Sequence, residues 1–119
     1  MTVKKVLTRI CVHELDSAVE LYEAIFQKKC ALRFQYPEMH LELAQVGNIL
    51  LLCGSDEALE PFRATKATFL VDSVTDFRTY LLQHGARVIR DMKKVPTGMN
   101  MTLQHPDGTV IEYVEHHIG

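Results

Sequence analysis

The stretch "VKKVLTRICV" (Val3–Val12) sets Val6, Ile10 and Val12 on one face, interrupted by Thr8, and Leu7, Arg9 and Cys11 on the other. A period of two predicts a strand. The next stretch, "ELDSAVELYEAIF", changes period. Leu15, Ala18, Val19, Tyr22, Ile25 and Phe26 share one face of a helix, with Glu20 and Glu23 opposite. Strands are expected over about 30–36, 39–46 and 48–53. Pro37 separates the first two, and Gly47-Asn48 suits a tight hairpin turn. "GSDEALEPFRAT" (Gly54–Thr65) reads as a linker with room for one short helical turn.

The pattern then recurs. "KATFLV" (Lys66–Val71) predicts a strand. Ser73, with Asp76 three residues on, predicts a helix N-cap. Val74, Phe77 and Leu81 form the apolar stripe, and Gly85 stops the helix. Three more strands are expected over about 87–95, 99–104 and 109–115, joined by turns at 96–98 and 106–108. The order is therefore βαβββ, linker, βαβββ. Val12 matches Val71, Leu15 matches Val74 and Tyr22 matches Leu81, each 59 residues on. The expected fold class is α+β: two βαβββ modules forming curled mixed sheets around a cup-shaped cavity. The chain reads as a single domain over 1–119, with module one about 1–54, a linker about 55–64 and module two about 65–119.

Each copy has one helix for four strands, so one sheet face goes without a helix. Alternation assigns the sides. Ala67, Phe69, Val71, Ile111 and Tyr113 go with the helices, like Val6, Ile10 and Val12. Leu7, Arg9 and Cys11, then Lys66, Thr68 and Leu70, then Val110, Glu112 and Val114, face the other way. Three charged residues, Arg9, Lys66 and Glu112, are thus expected on helix-free surfaces.

Composition narrows the partners. A net charge of −2 predicts no nucleic-acid partner and no anionic membrane surface. No apolar run approaches the ~20 residues of a bilayer span, and the N-terminus lacks a signal-peptide pattern. Three cysteines, Cys11, Cys30 and Cys53, without a CxxC spacing, read as reduced thiols of a cytoplasmic protein. Cys53 follows "NILLL", a flank expected to raise its pKa and leave it inert. The six histidines are placed in turns, beside helices and, for His116-His117, in a frayed tail. Met92, Met99 and Met101 read as core filler, with an adaptable binding surface as the alternative.

The paired βαβββ units, Glu14-Leu15 with Leu21-Tyr22 in the first helix, and "HPDGTVIEYVE" (His105–Glu115) together resemble the vicinal oxygen chelate superfamily. That group includes glyoxalase I, bleomycin-resistance proteins and extradiol dioxygenases. His105 replaces the first acid of the family's closing phrase. The resemblance implies a divalent metal such as Fe, Ni, Mn or Zn, held in a cup by ligands from the first and last strand of each module. It also implies a homodimer. Carried over residue by residue, the first ligand position falls on Leu7 and its repeat on Lys66. The last strand of module one offers Leu51 if Gly47 is aligned with Gly108, or Cys53 without a gap. Glu112 alone matches a family ligand.

One carboxylate does not hold a catalytic metal, so no metal and no cofactor are expected. Lys66 is expected to stand where the ion's charge would be and to pair with Glu112. The alternative is a lysine snorkelling to water. Arg9 adds a second cation, and Leu7, Leu51, Val110 and Val114 apolar walls. The expected ligand-binding residues are Arg9, Lys66, Glu112, Leu7 and Leu51, with no catalytic residue assigned. The expected function is metal-independent, bleomycin-resistance-like binding of a small organic ligand, with an anionic group suiting the pocket. The rivals are a divalent-metal-dependent glyoxalase-type lyase or isomerase or a dioxygenase, and a non-catalytic interaction module.

Overall fold

The computed structural model describes residues 1–117. The elements run β1 (Val3–Val12), α1 (Leu15–Phe26), β2 (Leu32–Tyr36), a 3-10 turn (Pro37–Met39), β3 (Leu41–Val46) and β4 (Ile49–Cys53). Then come α2 (Asp56–Leu59), a 3-10 turn (Glu60–Phe62), β5 (Ala67–Val71), α3 (Val74–Gln83), β6 (Arg87–Val95), β7 (Gly98–Gln104) and β8 (Val110–His116). The fold class is α+β, built of two βαβββ modules. No helix among the described residues is long and apolar enough to cross a membrane.

Contacts divide the chain into two compact units. One is Thr8–Ala64, here the α1 unit; the other joins Met1–Leu7 to the chain from Thr65 onward, here the α3 unit. β1 therefore serves both, changing hands between Leu7 and Thr8.

In the α1 unit the strand order is β2-β3-β4-β1. β4 runs parallel to β1 and antiparallel to β3, and β2 completes the sheet antiparallel to β3. Val46 faces Ile49, so Gly47-Asn48 makes the two-residue hairpin, with Gly47 at φ 55°. Leu15 and Val19 of α1 pack on Ala44, Val46, Ile49 and Leu51, with Ile10, Val12, Ala18 and Tyr22 around them. The apolar stripe of α1 is what seats it on this sheet face. Glu14 stands at the N-cap without a side-chain hydrogen bond, and the helix ends at Gln27 in the left-handed region, φ 52°.

In the α3 unit the strand order is β5-β8-β7-β6, with β5 parallel to β8 and the rest antiparallel. The Ser73 side chain accepts a hydrogen bond from the Asp76 N–H at 3.2 Å, the expected N-cap. Glu115 Oε1 accepts from the next free donor, Val74 N–H, at 3.0 Å. Gly85 takes φ 94° just beyond the helix. Val71, Val74, Phe77, Met101, Leu103, Ile111 and Tyr113 form the core, with Ala67, Phe69, Leu81, Met92 and Met99 against it. All three methionines are thus core filler on the helix side. Tyr113 lies 5.5 Å edge-on from Phe69 and 5.4 Å from Phe77, ring centre to ring centre. Its hydroxyl is 2.7 Å from His105 Nε2. At the other end Thr2 N–H donates to Asp72 Oδ1 at 2.9 Å, tying the chain start to the end of β5.

The expected sides hold for Ala67, Phe69, Val71, Ile111 and Tyr113 and for Ile10 and Val12. Val6 departs: it is 48% exposed, because it stands before the stretch of β1 that α1 covers. His116 departs too. It is paired in β8 opposite Gly98 and partly buried, so it is not in a frayed tail. His117 N–H donates to Thr97 O at 2.9 Å.

Candidate functional site

The helix-free face of the α3 unit follows from register. Ile111 and Tyr113 turn to the core, so Glu112 turns away from it. Thr68 lies beside Glu112 on β5 and Thr102 beside it on β7. Residues directly opposite in a sheet share a face. Thr68 Oγ1 donates to Glu112 Oε1 at 2.8 Å, and Asn100 Nδ2 donates to Glu112 Oε2 at 3.3 Å. Thr68 is 1% exposed and Thr102 5%. Glu112 is a half-buried carboxylate with both oxygens oriented by neighbours.

Lys66 is placed differently from expectation. Its backbone N–H donates to Val110 O at 2.9 Å, one row from Glu112, and the residue is exposed. No Lys66–Glu112 ion pair forms among the described residues. The reason is register. Thr68, not Lys66, stands across from Glu112, while the lysine just before β5 extends its ammonium into water. Leu7, in the same unit, is 1% exposed.

In the α1 unit Arg9 lies opposite Leu50, and Ile10 opposite Leu51. Leu51 is fully buried with Leu15 and Val19 on the α1 side. It is therefore not on the helix-free face, which corrects its assignment as a ligand-facing wall. A one-residue slip exchanges faces. The parallel pairs locate the slip. Ile10 with Leu51 corresponds to Phe69 with Tyr113, so the last strands match at an offset of 62, not at the 61 given by aligning the glycines. Leu50 is the counterpart of Glu112, and Arg9 the counterpart of Thr68. Cys53 packs with the α1 cluster. Burial, then the Glu42 and Glu14 carboxylates, push its thiol pKa up, as the apolar flank implied.

The metal implied by the resemblance can now be tested against the donors. The corresponding positions carry Leu7, Leu50, Lys66 and Glu112, so one of the four offers an oxygen. Among the described residues no group of three or more His, Cys, Asp or Glu side chains could hold an ion. His13 is spent on Asp56 at 2.7 Å and His105 on Tyr113. A catalytic site uses about three protein ligands. These residues do not fit a metal.

Other groups on the free face escaped the sequence reading. β6 is irregular, with register shifts between Val88 and Arg90 and between Arg90 and Lys93. Arg90 lies opposite Thr102 and Lys93 opposite Asn100, so both share the face of Glu112. Strict alternation would have separated Arg90 from Lys93. Asn100 was hidden between Met99 and Met101, and Thr68 carried no charge to mark it. His116 also lies on this strand face. Burial lowers its pKa, the Glu112 charge opposes that shift, and Lys4 adds to it.

No family model matches the chain, and no curated protein does. Solved structures do. An uncharacterized protein from Methanosarcina mazei is 52% identical, over 98% of this chain and 95% of that one, with a TM-score of 0.93. Methylmalonyl-CoA epimerase from Mycobacterium tuberculosis is 18% identical, over 98% and 90%, with a TM-score of 0.76. A variant of the Streptomyces coelicolor methylmalonyl-CoA epimerase, in complex with 2-nitronate-propionyl-CoA, is 18% identical, over 98% and 100%, with a TM-score of 0.74. The chain belongs to one family with the uncharacterized Methanosarcina mazei protein, and its fold is the vicinal oxygen chelate fold that it shares with methylmalonyl-CoA epimerase.

Proposed function

We propose that this protein binds a small organic anion without a metal ion, using the helix-free sheet surface around Glu112. The observation that carries the reading is the anchoring of Glu112 by Thr68 and Asn100. A carboxylate that would serve as a metal ligand here accepts hydrogen bonds from Thr68 and Asn100, and its counterpart positions are Leu7, Leu50 and Lys66. A carboxylate only accepts hydrogen bonds, so a hydroxyl or amide of the ligand is the group suited to Glu112. Lys66 and Leu7 in the same unit, and Arg9 on the free face of its own unit, are the other ligand-binding candidates. An exposed lysine at the strand end suits an anionic group entering from water. Such a protein acts by binding, in the cytoplasm and as a homodimer.

The structural neighbours supply a probe, since one of them is a methylmalonyl-CoA epimerase in complex with methylmalonyl-CoA. Methylmalonyl-CoA titrated calorimetrically in the presence of a chelator is expected to bind the wild-type protein. Glu112→Gln is expected to weaken that binding by about tenfold, the loss of one charge-assisted hydrogen bond. Binding that appears only on adding a divalent ion overturns the proposal.

A further inference from the structure

Helix α1 carries a second apolar stripe beside the one that seats it on its sheet. Leu15 and Val19 make the buried stripe. Leu21 and Ile25 are 54% and 60% exposed, although the helical period groups Ile25 with the sheet side. With Ala18 they stand at the spacing of a coiled-coil seam, and that spacing continues to Glu14 at the N-cap and to Lys28 just beyond the helix. The steps from Glu14 through Ala18, Leu21 and Ile25 to Lys28 are four, three, four and three residues. The two charges therefore lie seven residues to either side of Leu21, about 10 Å along the axis. Both residues are exposed, and the Glu14 side chain makes no cap hydrogen bond. Gln27 turns the chain at φ 52°, and Lys28 N–H donates back to Glu23 O at 3.2 Å, which keeps Lys28 beside the last helical turn. Neither charge has an ion-pair partner among the described residues.

We propose that this exposed stripe is a self-association face, on which α1 pairs antiparallel with α1 of a second copy of the chain. The order of the charges selects both the occupant and the direction. In a two-fold antiparallel pair centred on Leu21, each Glu14 meets the partner's Lys28, while Leu21 and Ile25 cover their counterparts. A parallel pair would set Glu14 against Glu14 and Lys28 against Lys28, with repulsion at both ends. A stripe that ends in one acid and one base, at equal distances from its centre, is complementary to itself rather than to a uniformly acidic or basic partner. Ala18 is small enough to let the two helices approach closely. Size sets the strength. The 12 residues of α1 span about 18 Å and offer less than the ~800 Å² per partner of a standard interface, so the dimer is weak and concentration-dependent. The inference gives the homodimer of the preceding reading its face and does not depend on the ligand surface around Glu112.

Sedimentation equilibrium of the full chain, at low salt and over about 1 μM to 1 mM, tests the face. The wild type is expected to pass from monomer to dimer across that range. Leu21→Glu and Ile25→Glu are each expected to weaken the dimer by at least about tenfold. Tyr80→Glu and Ile89→Glu, at exposed apolar positions elsewhere, are expected to leave it unchanged. Glu14→Lys and Lys28→Glu are each expected to weaken it by about tenfold, and the double variant to recover it, because every end contact is then reversed rather than lost. A variant that merely misfolds is not restored by a second charge change, so recovery separates the seam from lost stability. Failure of the double variant to recover, or equal loss in Tyr80→Glu and Ile89→Glu, overturns the seam. A dimer that survives both Leu21→Glu and Ile25→Glu overturns the seam and leaves the homodimer standing on another face. A monomer at every concentration, whether or not it co-sediments with phosphatidylcholine vesicles through the same stripe, overturns the seam and the homodimer together. Metal-free binding of methylmalonyl-CoA in chelator is read separately and survives either failure.

Discussion

Thr68 Oγ1 donates a 2.8 Å hydrogen bond to Glu112 Oε1, across the parallel pairing of β5 and β8. The bond joins a nearly inaccessible hydroxyl to a half-buried carboxylate, so each satisfies a group whose burial alone is costly. Thr68→Val is expected to destabilise the protein by about 1–2 kcal/mol in urea unfolding, because it leaves the carboxylate short of a donor. The double variant Thr68→Val with Glu112→Leu is expected to be less destabilised than the sum of the two single changes, since both partners then become apolar. Simple additivity contradicts the coupling.

The two helix starts differ and predict opposite signs. Ser73 caps α3 through Asp76 N–H, so Ser73→Ala is expected to cost about 1 kcal/mol. Glu14 stands at the α1 N-cap without a side-chain bond, so Glu14→Ser is expected to stabilise by about 0.5–1 kcal/mol. Denaturant midpoints at constant slope check both.

Leu51 separates packing from binding. Leu51→Ala removes a fully buried side chain under α1 and is expected to cost about 3 kcal/mol. Under conditions where the variant is folded, its affinity for methylmalonyl-CoA is expected to match the wild type. A selective loss of affinity would return Leu51 to the ligand surface.

Burial raises the Tyr113 pKa from 10.0 to about 12. The fold favours the neutral phenol, so this group's contribution is fully present below pH 10 and is lost as pH rises toward about 12. Tyr113→Phe is expected to flatten the fall in stability across that alkaline window. Urea unfolding at a series of pH values reads the slope, and an unchanged slope contradicts the assignment.

These outcomes also mark how far the amino-acid sequence can be read. Alternation assigned Phe69, Val71, Ile111 and Tyr113 to the core, because a strand with one helix-covered face must keep strict period two. The Ser73 cap and the Gly47-Asn48 hairpin were equally legible, since each relies on local chemistry. Leu51 was misplaced because two turns of unequal length gave an ambiguous offset, and one residue reverses a face. The partner of Glu112 was misassigned for a related reason. Charge suggested Lys66, but register chose Thr68, whose neutral hydroxyl gave no sign of its role. Arg90 and Lys93 were hidden by the irregular pairing of β6, which period-two reading cannot anticipate.

Elemental analysis of the protein purified without chelator tests the central claim most directly. The account predicts far less than one transition-metal equivalent per chain, the same in the wild-type protein and in Glu112→Gln. One stoichiometric ion in the wild type that disappears in Glu112→Gln would contradict it.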